Sequence, residues 1–190
     1  MKYTIEPNLT YDKKVLDDFV KRNREKSLKA LSNTWHITID PENLIEHFYP
    51  LSQYLHQSAV CIFTQTARKQ IGIHADGSHD IPERCYSASL NIPISGCTEK
   101  TKTIFWKFED NRKIDYQIVE KRNYMWVKDW EEMVPDYTFS LIDKPVIIKS
   151  SSAHSVQSDY DEERVLISWR FDPKYSWDDV NNICKKLNLI

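Results

Sequence analysis

A chain of 190 residues, 41% hydrophobic and 28% charged, can bury one sizeable core and has an ordinary globular composition. Its 26 basic and 28 acidic side chains leave a formal net charge of −2, so there is no electrostatic footprint for a nucleic-acid track. No signal peptide or membrane-length apolar run is read, and Cys61, Cys85, Cys97 and Cys184 lack C-x-x-C spacing; the expectation is reduced thiols in a cytoplasmic protein.

From the N-terminus, residues 11–32 place Val15, Leu16, Phe19, Val20, Leu28 and Leu31 at roughly helical spacing with charges between them. Asp40-Pro41-Glu42-Asn43 then reads as a helix start, with Asp40 as N-cap and Pro41 in the first turn. That helix would run through Leu44, Ile45 and Phe48 toward Leu55. Residues 1–58 are therefore expected to be helical support.

After residue 58 the character changes. The runs AVCIFTQ, KQIGIH, YSASLNIPI, KTIFWKF, DYQIVE, YMWV, YTFSLI, PVIIK and RVLISWRF follow one another, many set off by Gly, Pro, Asn or Asp. Short strands at this spacing point to an antiparallel sandwich, jelly roll or barrel, not a parallel sheet with intervening helices. A last helix is expected from about Ser176 to Leu187. The chain reads as one domain: 1–58 helical, 59–171 the β core, 172–190 the C-terminal helix.

Chemistry concentrates at the ends of these strands. In I-G-I-H-A-D-G-S-H-D, His74 and Asp76 stand at i and i+2, the spacing that puts two side chains on one face of a strand. Gly77 allows a sharp turn after the second of them. His154, in PVIIKSSSAHSVQS, follows an apolar strand and a small-residue turn, so it too would sit at a strand edge. Two His and one carboxylate are the facial set of non-haem Fe(II), which leaves coordination positions open. A structural zinc site would need a fourth protein ligand, and the cysteines are not spaced to give one. Along RVLISWRF, Arg164, Leu166, Ser168 and Arg170 share one face. An arginine directed into an apolar barrel is costly unless it meets an anion. Arg164 could grip a carboxylate with two parallel hydrogen bonds, and Ser168 could add a third.

The motifs H-A-D, S-L-N-I-P-I-S-G-C with T-I-F-W, P-V-I-I-K-S-S-S-A-H-S-V and R-V-L-I-S-W-R-F, taken in that order over residues 60–171, resemble the Fe(II)/2-oxoglutarate-dependent oxygenases. They are most similar to small bacterial and phage-type members, and more loosely to the aspartyl/asparaginyl and phytanoyl-CoA hydroxylase branches. The resemblance implies a mainly β fold with flanking helices: a double-stranded β-helix, the cupin-like jelly roll. It implies His74 and Asp76 as proximal metal ligands and His154 as the distal one. Arg164 would bind the far carboxylate of 2-oxoglutarate, with Arg170 in reserve and Asn91 in a pocket role or as a strand-end cap. The implied cofactors are Fe(II), 2-oxoglutarate as co-substrate, and O2. The implied reaction is decarboxylation of 2-oxoglutarate to succinate and CO2, coupled to hydroxylation of a substrate. The competing reading is a cupin-like isomerase or ligand-binding module that holds a metal without oxygenase activity and has no need of Arg164.

His79 and Asp80 fall outside the i, i+2 geometry and read as rim or solvated-loop residues. Trp106, Trp126 and Trp169 suit either a pocket wall or core packing. The expected partner is a small molecule or a protein side chain, with no nucleic acid or membrane; the sequence carries no code for which substrate, or for oligomeric state.

Overall fold

In a computed structural model the described residues are 3–27, 34–39, 48–65, 70–77, 85–118 and 124–190. Among them, twelve strands form two six-stranded sheets. In chain order they are β1 (Thr4–Ile5), β2 (Thr34–Ile39), β3 (Gln57–Gln65), β4 (Gln70–Asp76), β5 (Ser89–Ser95), β6 (Thr101–Phe108), β7 (Tyr116–Ile118), β8 (Tyr124–Val127), β9 (Met133–Phe139), β10 (Val146–Ile148), β11 (His154–Ser158) and β12 (Arg164–Phe171). Helices α1 (Lys13–Ser27), α2 (Leu51–Tyr54) and α3 (Trp177–Lys186) flank them. The first sheet runs β1-β10-β5-β12-β3-β2 and the second β7-β8-β4-β11-β6-β9. All pairings are antiparallel. Consecutive strands alternate between sheets in the core, as in a jelly roll.

The two faces of the first sheet do different work, and β12 shows why. All eight of its residues are buried. Val165, Ile167, Trp169 and Phe171 join Val60, Ile62, Leu90 and Ile92 in the main core, where Leu16, Phe19 and Val20 of α1 and Val180 and Cys184 of α3 cover them. The alternate set, Arg164, Leu166, Ser168 and Arg170, is likewise buried, and by the twofold alternation of a strand it turns into the space between the sheets. Burial on both faces explains why this strand reads as a near-continuous apolar run with isolated polar exceptions. Ser176 caps α3 and Asp179 completes a capping box, which fixes the helix start expected from the sequence.

The N-terminal third is not wholly helical as expected. Residues 34–39, TWHITI, form β2 on the edge of the first sheet, paired with β3, and Thr4–Ile5 adds a short edge strand beside β10. β-Branched and aromatic residues in alternation favour that edge over a helix. Helix α1 covers the expected span only to Ser27. Leu28, Leu31, the helix start at Asp40–Asn43, Leu44 and Ile45 lie outside the described residues, and the next described helix is the single turn α2. No helix among the described residues is long and apolar enough to cross a membrane.

Candidate metal centre

Strand β11 lies between β4 and β6, and its first residue, His154, pairs directly with His74 on one side and Phe105 on the other. Directly paired residues bring their side chains together on one face. This is how two histidines eighty positions apart meet. Their ring centroids are 4.5 Å apart. Asp76 lies two residues beyond His74 on the same face, and its Oδ1 is 3.7 Å from His74 Nε2. One ligand atom from each of His74, Asp76 and His154 lies within 4.8 Å of the others, and all three side chains are buried.

The register shows how β4 aims its histidine. His154 faces His74 while Val156 faces Ile71, so Gly72 and Ile73 stand against the single residue Ser155. This β-bulge puts both Ile71 and His74 on the cavity side. It also brings the Gly72 carbonyl within 2.7 Å of His74 Nδ1. In the same way His154 Nδ1 is 2.9 Å from the Ser152 carbonyl. A carbonyl can only accept, so each Nδ1 carries the proton and each Nε2 keeps its lone pair for a metal. Burial, the neighbouring His154 and, more weakly, Arg170 lower the His74 pKa to about 4, against the opposing pull of Asp76 and the Gly72 carbonyl. A neutral imidazole is the form a metal binds.

The turn between β10 and β11 ties the pieces together. The Asp76 amide donates to the Ser150 carbonyl, the Ser150 hydroxyl donates to the Tyr86 carbonyl, and the Ser151 hydroxyl donates to the Ser87 carbonyl. Gly77 follows Asp76 at φ 138°, a conformation that residues with a side chain rarely adopt.

A cavity of about 70 Å3 runs from these three residues between the sheets. Arg164, Ser168 and Asn91 all line it. Arg164 is 6% exposed, and its Nε has no hydrogen-bond partner among the described residues. Burial pulls its pKa down, and the Cys97 thiol is the neighbour that offsets this. A buried guanidinium in this state is completed by an anion. Asn91 and Ser168 are cross-strand partners, so both present their side chains to the same stretch of wall. The sequence reading missed Thr64 and Gln65 of β3, Ser89 of β5 and Thr103 of β6, polar residues that also line the cavity. Their only sequence signal was a polar residue inside an otherwise apolar strand.

Arg170 is placed differently from the reserve role expected of it. It does not line the cavity; its Nη2 is 3.4 Å from Asp76 Oδ2. Trp169 packs on the helix side against Phe48, so it belongs to the core. Trp106 and Trp126 line a separate recess that also includes Trp130 and Met133. His79 and Asp80 lie outside the described residues.

No family model and no curated protein matches the sequence. Solved structures do match the fold. The non-heme alpha ketoglutarate dependent carbocyclase SnoK of nogalamycin biosynthesis aligns at TM-score 0.62 and 11% identity, over 90% of this chain and 79% of that one. The epimerase SnoN, solved with Fe3+, alpha ketoglutarate and nogalamycin RO, aligns at TM-score 0.60 and 12% identity over 89% and 78%. A Pseudomonas putida prolyl-4-hydroxylase aligns at TM-score 0.55 and 12% identity over 89% and 90%. At such identities the likeness is one of fold: two curled antiparallel sheets in the cupin-like jelly roll.

Proposed function

We propose that this protein is an Fe(II)- and 2-oxoglutarate-dependent oxygenase that hydroxylates a small molecule or a protein side chain. One observation carries the reading: a buried His-Asp-His cluster whose two imidazole Nδ1 atoms face backbone carbonyls shares a cavity with a buried guanidinium whose Nε has no hydrogen-bond partner among the described residues. A cupin-like binding module would need the first half of that arrangement and not the second. The structural matches that use alpha ketoglutarate, which is 2-oxoglutarate, support the same reading. They include an epimerase and a carbocyclase, so proteins of this fold are named for activities other than hydroxylation.

The residues present fit both groups. His74, Asp76 and His154 would hold the iron, and Arg164 would take the far carboxylate of 2-oxoglutarate, with Ser168 and Asn91 beside it. When bound, the iron and its co-substrate supply the oxidation, coupled to loss of CO2 from 2-oxoglutarate. The protein does the rest. The Gly72 and Ser152 carbonyls fix both imidazoles with Nε2 toward the metal position. Arg164 would hold the co-substrate's far carboxylate at its own place on β12. Leu166, Ile148, Val156 and Phe63 make the apolar wall that keeps bulk water out of the cavity.

The test is anaerobic addition of Fe(II) and then 2-oxoglutarate to the whole protein. The expected result is a weak visible charge-transfer band that appears only with both present and is lost in Asp76→Ala. With no band in the wild type, the oxygenase assignment fails. Succinate release screened across substrate classes would then identify what is oxidised.

A further inference from the structure

Arg170 belongs to the inward face of β12 but lies beyond the cavity wall, held in place on several sides. Its side chain is 1% exposed, with the guanidinium carbon 4.9 Å from the centre of the Tyr86 ring and 5.5 Å from that of Phe63. A planar cation set against two aromatic rings has little rotational freedom. From this position its Nη2 reaches Asp76 Oδ2 at 3.4 Å, while Asp76 Oδ1 points toward His74 Nε2 at 3.7 Å. The two carboxylate oxygens therefore have different neighbours. One faces the ligand cluster and the other faces a fixed cation.

A carboxylate can bind a metal through one oxygen or through both. Nothing intrinsic to aspartate chooses between them; the choice is made by what the second oxygen meets. We propose that Arg170 is a positioning residue that holds Oδ2 and restricts Asp76 to a single metal bond through Oδ1. The position kept open is one of the three that a chelating 2-oxo acid and oxygen would together require; a carboxylate bound through both oxygens would occupy it. Phe63 and Tyr86 take part indirectly by setting the plane of the guanidinium. Ser150 fixes the other end of the arrangement, since its carbonyl holds the Asp76 amide and its hydroxyl holds the segment that carries Tyr86. The inference rests on the metal reading above.

The experiment compares wild type with Arg170→Gln, both loaded with Co(II) as a spectroscopic substitute for iron and titrated with 2-oxoglutarate. In the variant, Co(II) affinity is expected to stay within about threefold of wild type, the visible Co(II) spectrum to change, and 2-oxoglutarate affinity to fall about tenfold or more. A merely structural role would instead lower both affinities together with the melting temperature, and that result overturns the proposal. Unchanged 2-oxoglutarate affinity overturns it whatever the spectrum does. If Arg170→Gln does not fold, the wild type still decides. In a crystal structure of the Ni(II)-loaded protein, Asp76 is expected to bind through one oxygen with the other on Arg170; two Asp76 oxygens on the metal would overturn the proposal. Wild type that binds no Co(II) would remove the metal reading itself, which separates that failure from the failure of Arg170's role.

Discussion

Arg164 is a side chain whose folded-state situation makes sense only with a ligand. Its guanidinium is buried, its Nε is unpartnered among the described residues, and burial shifts its pKa downward. Among the described residues no carboxylate pairs with it, so the ligand-free protein carries the desolvation of this charge without a matching anion from them. Two opposite consequences follow for Arg164→Met. In the ligand-free protein the variant should be at least as stable as wild type in a thermal melt. Bound to metal, it should lose about 2–3 kcal/mol of 2-oxoglutarate affinity by calorimetry while metal affinity is unchanged. An Arg164 variant that melts several degrees lower and still binds 2-oxoglutarate normally would show the residue to be structural. At this scale the sequence was informative about the cluster, because i, i+2 on a strand is a local relation that needs no knowledge of the fold. The hydrogen bonds that orient the two histidines were not legible. Each depends on a backbone path, in one case a bulge, that residue types alone do not specify. Arg170 was legible as an inward arginine, but its pairing with Asp76 depends on how β12 of one sheet faces β4 of the other.

At the scale of elements, the β5–β6 turn shows how tightly the Arg164 end of the cavity is closed. Gly96 has φ 62°, and a Cβ there would sit 2.0 Å from the Glu163 carbonyl oxygen and 3.0 Å from the Arg164 Cα. Those are backbone atoms of the entry to β12 and cannot swing aside as a side chain would. Gly96→Ala should therefore cost about 1–3 kcal/mol in denaturant unfolding and should also weaken 2-oxoglutarate binding, because relief of the clash moves the start of β12 on which Arg164 stands. An alanine variant with wild-type stability and affinity would mean that the turn is free to shift independently of β12. Strands β3 to β8, β10 and β12 could be read from their β-prone runs, though with frayed ends, while the run YTFSLI overlaps only the last three residues of β9. β1 and β2 were missed for different reasons. β1 is two residues long, below the length at which alternation is recognisable. β2 has a clear alternating pattern, but it lies between stretches read as helical, and its state is set by the open edge of β3, which no local window shows.

The whole molecule bears the cost of keeping His74 neutral. Its folded pKa, about 4, lies below the ordinary value of 6.5. The unfolded chain therefore binds more protons than the folded one between those values. The stability associated with the neutral ring is present above pH 6.5 and is lost as the pH falls toward 4. A shift of this size corresponds to about 3 kcal/mol. Urea unfolding of the ligand-free protein at pH 7 and pH 4.5 should show wild type losing more stability than His74→Gln, the difference approaching that figure. Equal losses would mean that His74 takes up its proton in the folded state as readily as in the unfolded one. Which strands neighbour one another was beyond the sequence, because β12 sits between β3 and β5 and β11 between β4 and β6. Those crossovers assemble the cavity from both sheets, and they explain why Thr64, Gln65, Ser89 and Thr103 were passed over while the histidines were not.

The carbonyls of Gly72 and Ser152, each two residues before the histidine it orients, carry a consequence for inheritance. A main-chain carbonyl has no codon of its own. Point mutation can delete a ligand, but it cannot directly delete the group that sets that ligand's tautomer, because every amino acid brings the same oxygen. At position 152 a wide range of alleles should therefore keep the ring correctly set. At position 72 the range narrows for an unrelated reason, since any side chain there would press against the ring of Trp126. In a lineage carrying this fold, the tuning of the histidines is expected to persist where the residues around them drift.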